Sequence, residues 1–265
     1  MNAYFWIMIN RFFYSFILII LCFIVLTAQR IHAQQDVPPQ SNRSGVLVPV
    51  TFKFQVPAGD LSDRFGVNSA VAVGLMYKYK NNWIIGTEGS FFFGNRVKET
   101  SLLESYVFTS SGNIVGSNGY PTDIFFYERG YDISFKVGKL IPLLKNNKDS
   151  GLFLQAGGGF MSHKIFISLK DFAVPFLTGD YAKGIDRLTN GISFSQQIGY
   201  LHLDKKKLTN INLGFEIIEA FTKNRRSYNF DEMRADDKLR LDIFLGIRLS
   251  IILPIYNQTG DYFYN

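Results

Sequence analysis

The 265-residue chain contains one cysteine and three histidines. A single cysteine excludes a disulfide framework and any thiolate-bound metal cluster, and three histidines leave little for a histidine-built metal site. No metal or other cofactor is expected. Charge is also sparse, at 19% of residues, and the 28 Lys and Arg exceed the 22 Asp and Glu only slightly. The excess is spread along the chain rather than gathered in one tract, which argues against a nucleic-acid partner. No sustained apolar spacing of three and four residues marks a helix of useful length. The apolar run at 16–26 is about half the roughly 20 residues that cross a bilayer as a helix. Apolar residues make up 47% of the chain and aromatics 16%, with 23 glycines against 8 prolines. That composition is too apolar for intrinsic disorder and predicts a stable fold of one large domain or two small ones.

Residues 1–15 carry one charge, Arg11, and the apolar run is followed by Thr27-Ala28-Gln29-Arg30-Ile31-His32-Ala33. This order predicts a secretory signal peptide over residues 1–33, cleaved near Ala33. Cys22 follows the bulky Leu21 inside the run, which does not suit a lipoprotein signal. Cleavage would remove Arg11 and Arg30 and no acid, so 26 bases would face 22 acids, a net +4, and only His163 and His202 would remain. The Gln/Pro/Ser-rich residues 34–44 read as a linker, and 257–265 as a C-terminal tail.

From Val46 onward the sequence alternates apolar and polar residues at period two, the signature of strands with two unlike faces. In the last segment, positions 239, 241, 243, 245, 247, 249, 251 and 253 are all Leu or Ile. Positions 240, 242, 246, 248 and 250 are Arg, Asp, Gly, Arg and Ser. From Ile124 onward, Phe125, Tyr127, Tyr131, Ile133, Phe135 and Val137 oppose Glu128, Gly130, Asp132, Ser134, Lys136 and Gly138, with Arg129 the one intruder. Residues 46–56, 67–79, 83–93, 152–166 and 210–222 behave alike. At 192–203 the adjacent Gln196 and Gln197 blur the pattern and predict a bulge or a register the alternation does not set. The connections alternate: 80–82, 142–149 and 204–207 are short, whereas 57–66, 96–123, 170–190 and 223–237 are long. Short turns on one side and long loops on the other are the mark of an up-and-down membrane barrel.

The faces decide which solvent lies outside. A soluble barrel puts its apolar face inward, but here the polar faces carry Glu88, Glu128, Asp132, Lys136, Glu216, Arg240, Asp242 and Arg248 interleaved with glycines. Eight strands enclose an interior just wide enough for side chains, so these charges predict a paired network that plugs the lumen, with a gated ion or proton path as the alternative. Closure leaves no unpaired strand edge in hydrocarbon. Tyr77, Tyr79, Trp83, Tyr200 and Tyr256 gather at the short-turn ends, where an interfacial girdle belongs. The expected fold is therefore an all-β, eight-stranded antiparallel up-and-down transmembrane β-barrel over residues 45–256.

Several stretches carry a resemblance: Gly59-Asp60 to Arg64-Phe65-Gly66, Asn82-Trp83 to Lys98-Glu99, and Glu128-Arg129-Gly130-Tyr131 to Gly138-Lys139-Leu140-Ile141-Pro142. Tyr181 through Gly191, Phe221 to Asp231, and Arg240-Leu241-Asp242 to Leu253-Pro254-Ile255-Tyr256 continue it. Together they resemble the small outer-membrane β-barrel proteins of Bacteroidota, similar to the OmpA-like, porin-family type of eight-stranded barrel. The resemblance implies an outer-membrane location and the barrel fold. It implies no settled activity, so no functional residue is carried over, and it raises an accessory role in type IX secretion.

Enzymatic residues are few. His163, pointing inward near Ser193 and Ser195, is the one Ser/His combination, without a designated acid, and His202 lies at the opposite end. No catalytic site and no metal site is expected. The fourth long loop mixes bases and acids, and Arg225 and Arg226 are candidate contacts for lipid phosphates, against the plainer reading of ion pairs within the loop. The expected role is structural or interactive, through long outer loops, with outer-membrane lipid, lipopolysaccharide and other outer-membrane proteins as partners. The alternatives are a narrow porin-like channel, a secretion accessory and an outer-leaflet lipid-modifying enzyme.

Overall fold

The computed structural model describes residues 43–99, 102, 114–117, 119–122, 124–144, 147–169, 174, 177, 179–204 and 210–256. The expected signal peptide, most of the linker and the C-terminal tail lie outside these residues. The alternating segments become strands β1 (Gly45–Gly59), β2 (Asn68–Lys78), β3 (Trp83–Gly94), β6 (Ile124–Leu144), β7 (Asn147–Leu169), β8 (Thr189–Leu203), β9 (Asn210–Asn224) and β10 (Leu239–Tyr256). A two-residue pair, β4 (Ile114–Val115) and β5 (Pro121–Thr122), forms a separate small hairpin within the second long loop. The eight long strands close into a barrel in the order β1-β10-β9-β8-β7-β6-β3-β2, each pairing antiparallel with its chain neighbour. β1 and β10 seal the ring from Gly45↔Tyr256 to Gly59↔Asp242.

The period-two pattern fixes which way each side chain points, because successive residues of a strand face opposite sides. On β1, Thr51, Lys53 and Gln55 are buried in the lumen while Val50, Phe52, Phe54 and Val56 stand exposed outside. The same holds on β10, where Ile247, Leu249, Ile251 and Leu253 are exposed and Arg248 and Ser250 are buried. The outer faces of these two strands are thus apolar.

Two local expectations change. Gln196 and Gln197 produce no bulge: β8 keeps one register with β7 from Gly151↔Leu201 to His163↔Thr189 and with β9 from Thr189↔Asn224 to Leu203↔Asn210. Gln197 is buried inside, and Gln196 occupies an outward position within the apolar surface, so the polarity slipped while the backbone did not. The irregularity lies instead between Pro142 and Leu144, where β6 and β7 run on past the expected turn to Leu144↔Asn147. The 80–82 connection is as tight as expected. Asn82 holds a φ of 66° there, and its backbone N–H donates to Tyr79 O at 2.9 Å. Asn tolerates that left-handed backbone better than most residues.

The lumen is layered. Toward the short turns, Leu47, Met76, Ile84, Leu140, Phe153, Leu201, Leu203 and Ile252 form one apolar cluster. Beneath it, Lys78 Nζ donates to Asp149 Oδ1 at 2.7 Å and Arg43 Nε to Asp149 Oδ2 at 2.9 Å. Arg43, in the segment read as a linker, thus reaches the short-turn end of the barrel. Toward the long loops, a second cluster joins Ala70, Phe92, Met161, Ile218 and Phe244 of the wall to Leu61, Phe65, Leu102, Val174, Leu177 and Ile185 of the loops. Phe92 lies where a Cβ on its cross-strand partner Gly130 would come within 2.2 Å of the ring, so only glycine fits there. The lumen is therefore not polar throughout, as the sequence suggested: apolar plugs sit above and below a charged middle layer.

Candidate functional site

The middle layer is built by five strands, each contributing one inward side chain. Lys53 (β1), Glu88 (β3), Lys136 (β6), Glu216 (β9) and Arg248 (β10) are all 2% exposed or less. Every cation touches both carboxylates. Lys53 Nζ lies 2.9 Å from Glu88 and 2.8 Å from Glu216. Lys136 Nζ lies 2.7 Å from Glu88 and 2.6 Å from Glu216. Arg248 reaches Glu88 at 2.6 Å and Glu216 at 2.7 Å. Asp132 flanks the cluster and accepts from Ser193 Oγ at 2.7 Å. Such saturation is what a buried ionic cluster needs, because an unmatched charge in low dielectric is costly. Gly157 makes room for it: a Cβ there would stand 2.8 Å from Lys136 Cγ and 2.9 Å from Ser195 Oγ.

Of the eight predicted lumen charges, Glu88, Lys136, Glu216 and Arg248 meet in this cluster, and Asp132 flanks it. Three do not join. Glu128 is buried higher up and accepts from Asn68 Nδ2 at 2.8 Å. Asp242 accepts from His163 Nε2 at 2.8 Å and from Thr222 Oγ1 at 2.5 Å, both on Oδ2. Arg240 corrects the prediction outright: it is partly exposed at the rim and donates to Asp236 Oδ2 at 2.6 Å. It is the second residue of β10, beside the loop that carries Asp236. Lys53 was missed, although it alternates with Val50, Phe52 and Phe54 in plain view.

The one Ser/His combination noted in the sequence does not form. His163 turns to Asp242, Ser193 turns to Asp132, and the Phe65 ring packs edge-on against His163 at 5.7 Å. The Thr222 hydroxyl is spent on the same carboxylate oxygen as the imidazole, so the trio contains an orienting acid but no hydroxyl aimed at the base. At the far end, His202 Nδ1 meets Ser150 Oγ at 3.1 Å, where the hydroxyl also accepts from Leu203 N at 3.1 Å and Asn147 Nδ2 at 2.8 Å. That serine ties a turn together. Among the described residues no group of three or more His, Cys, Asp or Glu is placed to hold a metal ion.

The long loops are locked over the barrel mouth by Arg187. Its guanidinium reaches Glu99 Oε1 at 2.8 Å, Asp231 at 2.9 and 2.5 Å, and Glu232 Oε1 at 3.1 Å, which joins the second, third and fourth loops. Arg64 adds the first loop through Glu99 at 3.1 Å. Burial works against the charge on Arg187, but Glu99 and Asp231 outweigh it and hold the group above the ordinary guanidinium value. Arg226 forks onto Asp186 at 2.8 and 2.6 Å, and that carboxylate likewise raises it. Arg225 donates to Asn190 Oδ1. The two candidate phosphate contacts thus reach across to the third loop, Arg226 to Asp186 and Arg225 to Asn190, and not to acids of their own loop.

One small cavity of ≈ 20 Å³ lies in the short-turn half, with Met76, Phe153, Gln155, Asn212 and Arg248 among its walls. That is room for about one water molecule. Among the described residues the apolar clusters and the ionic layer fill the lumen around it.

No protein-family model matches the chain, and no curated protein does. Among solved structures it is similar to Neisserial surface protein A, at 9% identity over 78% of this chain and 97% of that one, with a TM-score of 0.42. It is also similar to OprG, an outer membrane protein of Pseudomonas aeruginosa, at 10% identity over 83% and 98% of the two chains, with a TM-score of 0.40. The attachment invasion locus protein Ail of Yersinia pestis, bound to the heparin analogue sucrose octasulfate, matches at 11% identity over 79% and 99%, with a TM-score of 0.38. The chain's own strand order and registers make it a closed, eight-stranded, antiparallel up-and-down β-barrel.

Proposed function

We propose that this chain is an integral outer-membrane protein whose plugged barrel holds a locked set of outer loops as an interaction surface. One observation carries the reading: the barrel is inside out relative to a soluble protein. Phe52, Val73, Leu75, Ile133, Phe135, Leu213, Phe215 and Ile251 stand between 50% and 63% exposed, while Lys53, Lys136, Glu216 and Arg248 are buried. Soluble monomers rarely expose apolar patches beyond a few hundred Å². A bilayer is the solvent that accepts this surface, and closure satisfies every ladder group within it. The aromatic residues support the placement. Tyr77 and Tyr79 pack edge to face at 4.8 Å, and Lys139 Nζ lies 4.9 Å over the Trp83 ring, at the short-turn end where a girdle meets headgroups.

The filled lumen favours an interaction role over transport, and the Arg187 lock favours loops that act as one rigid surface. Outer-membrane lipid, lipopolysaccharide and other outer-membrane proteins are the partners such a surface meets. The test is fractionation with heat-modifiability, followed by planar-bilayer recording. A membrane-bound protein that migrates differently when unboiled, and that gives no conductance steps, fits the reading. A protein soluble without detergent defeats the membrane assignment, and steady conductance defeats the plugged lumen.

A further inference from the structure

The outward face of the barrel holds few polar side chains. Glu219 on β9 keeps its Oε2 buried in the chain's own surface, and Lys139 lies over Trp83 at the short-turn end. At the long-loop end two cations share one spot. Arg129 on β6 and Lys164 on β7 are direct ladder partners, each partly exposed. Their chain neighbours Glu128 and His163 are buried in the lumen, so the two cations face outward. Ladder partners hold their Cβ atoms about 5 Å apart, and like charges so placed repel. Neither charge is matched within the chain. Arg129 donates to Glu128 O at 2.8 Å, and no ion pair joins it to a carboxylate among the described residues. Lys164 has only Asp186, 3.9 Å away, and Arg226 already forks onto that carboxylate at 2.8 and 2.6 Å. The Arg129 guanidinium is also held in place. It lies 4.9 Å from the centre of the Tyr127 ring and 5.9 Å from that of Phe166, and these rings are themselves ladder partners one outward row nearer the loops. The side chain therefore climbs away from the apolar surface, and most of its N–H donors stay available to a ligand.

The depth of the pair follows from β6 itself. Lys139 and Arg129 are ten residues apart, and the outward residues between them are Val137, Phe135, Ile133 and Tyr131. Ten residues rise about 33 Å along a strand, and a tilt of about 40° leaves about 25 Å along the membrane normal, the height of an outer-membrane barrel's apolar band. With Trp83 and Lys139 at one headgroup level, Arg129 and Lys164 stand at the other. We propose that Arg129 and Lys164 form a binding site for the phosphate of an outer-leaflet lipid headgroup, an inference that rests on the membrane reading above. The chemistry selects the ligand: two phosphate oxygens suit the fork of a guanidinium, the ammonium adds a point charge, and an anion shared by both offsets their repulsion. The depth selects the lipid as its source, because the site lies at the edge of the apolar band, where a lipid carries its phosphate. The acyl chains then run down over Tyr131, Ile133 and Phe135, which are 46% to 60% exposed.

The experiment uses the heat-modifiable full chain in phosphatidylcholine vesicles that contain acyl-brominated phosphatidic acid or acyl-brominated phosphatidylcholine as quencher. Trp83 is the one tryptophan outside the predicted signal peptide, and Trp83→Phe clears the background. Tyr131→Trp, on the outward row below Arg129, then reports which lipid stands at the site, and Phe52→Trp, on the opposite wall, is the control. Phosphatidic acid should quench Tyr131→Trp in preference to phosphatidylcholine and show no preference at Phe52→Trp. Arg129→Gln and Lys164→Gln should each lower the preference at Tyr131→Trp about fivefold. In phosphatidylcholine alone both variants should be at least as stable to urea as the parent chain, because one of two opposed cations has gone. Equal quenching by the two lipids, a preference that survives in Arg129→Gln/Lys164→Gln, the same preference at Phe52→Trp, or stability lost in phosphatidylcholine alone overturns the proposal. So does a preference that inorganic phosphate removes beyond the effect of sodium chloride at equal ionic strength, which makes the ligand a free anion. A chain that lacks the gel shift fails the membrane reading instead, and that result is visible before any quenching is measured.

Discussion

Glu216 is held by Lys53, Lys136 and Arg248, so its removal leaves three cations facing only Glu88 and the more distant Asp132. Breaking a buried ionic cluster from one side costs about 3–5 kcal/mol. Glu216→Leu should therefore lower the stability of the folded barrel by about that much, read by urea unfolding in lipid vesicles. Adding Arg248→Met should restore part of the loss, because two cations then face two carboxylates. If the double variant is no more stable than the single one, charge balance is not what the cluster supplies. Asp236 makes a second case. Burial pulls its carboxyl upward, but the hydrogen bond and charge of Arg240 outweigh this and hold it below the ordinary aspartate value. A depressed carboxylate stabilises above its unfolded value and loses that contribution as pH falls through the folded one. The Arg240 tether should thus persist through neutral pH and release only in acid beyond the usual aspartate range. The Arg240 Nε–H resonance followed in a pH titration checks this, with Asp236→Asn expected to lack the transition.

At the scale of elements, one side chain ties described segments of three long loops together. Arg187 has a φ of 50°, outside the range favoured by most residues with a side chain, and it is buried with four hydrogen bonds to three carboxylates on two other loops. Strain of about 1–3 kcal/mol is kept only where surrounding contacts determine it. Arg187→Ala should free the loops together, seen as at least tenfold faster trypsin cleavage after Arg225 or Arg226 on intact membranes, with the barrel's gel shift retained. Arg187→Lys should rescue little, because a lysine cannot fork onto Asp231. Within the wall, Phe92 rests on Gly130. Gly130→Ala should destabilise by about 1–3 kcal/mol through overpacking, with partial recovery in Gly130→Ala/Phe92→Leu, again read by urea unfolding. Recovery stays partial because the added Cβ also meets Ser162 O at 2.6 Å.

For the whole molecule, closure and filling argue together. Eight strands leave space for side chains but not for a continuous aqueous path, and here two apolar clusters enclose the ionic layer. Planar bilayers should show no steps from the wild-type chain. Alternation along single strands was enough to read the fold class, the long-loop and short-turn sides, and the inward position of Glu88, Lys136, Glu216 and Arg248. It works because a strand's side-chain period is two regardless of context, so one apolar face declares the solvent outside. Lys53 and Glu219 were legible by the same rule, one as a polar residue on the inner face and the other as a break in the outer face. The tertiary structure alone decided the rest. Which charges meet depends on register and on distances between strands far apart in sequence, so Arg240 went to Asp236 and Asp242 to His163. The loop residues that plug the mouth, Leu61, Phe65, Leu177 and Ile185, follow no period, because their burial is set by the space the closed barrel leaves and not by the segments that carry them.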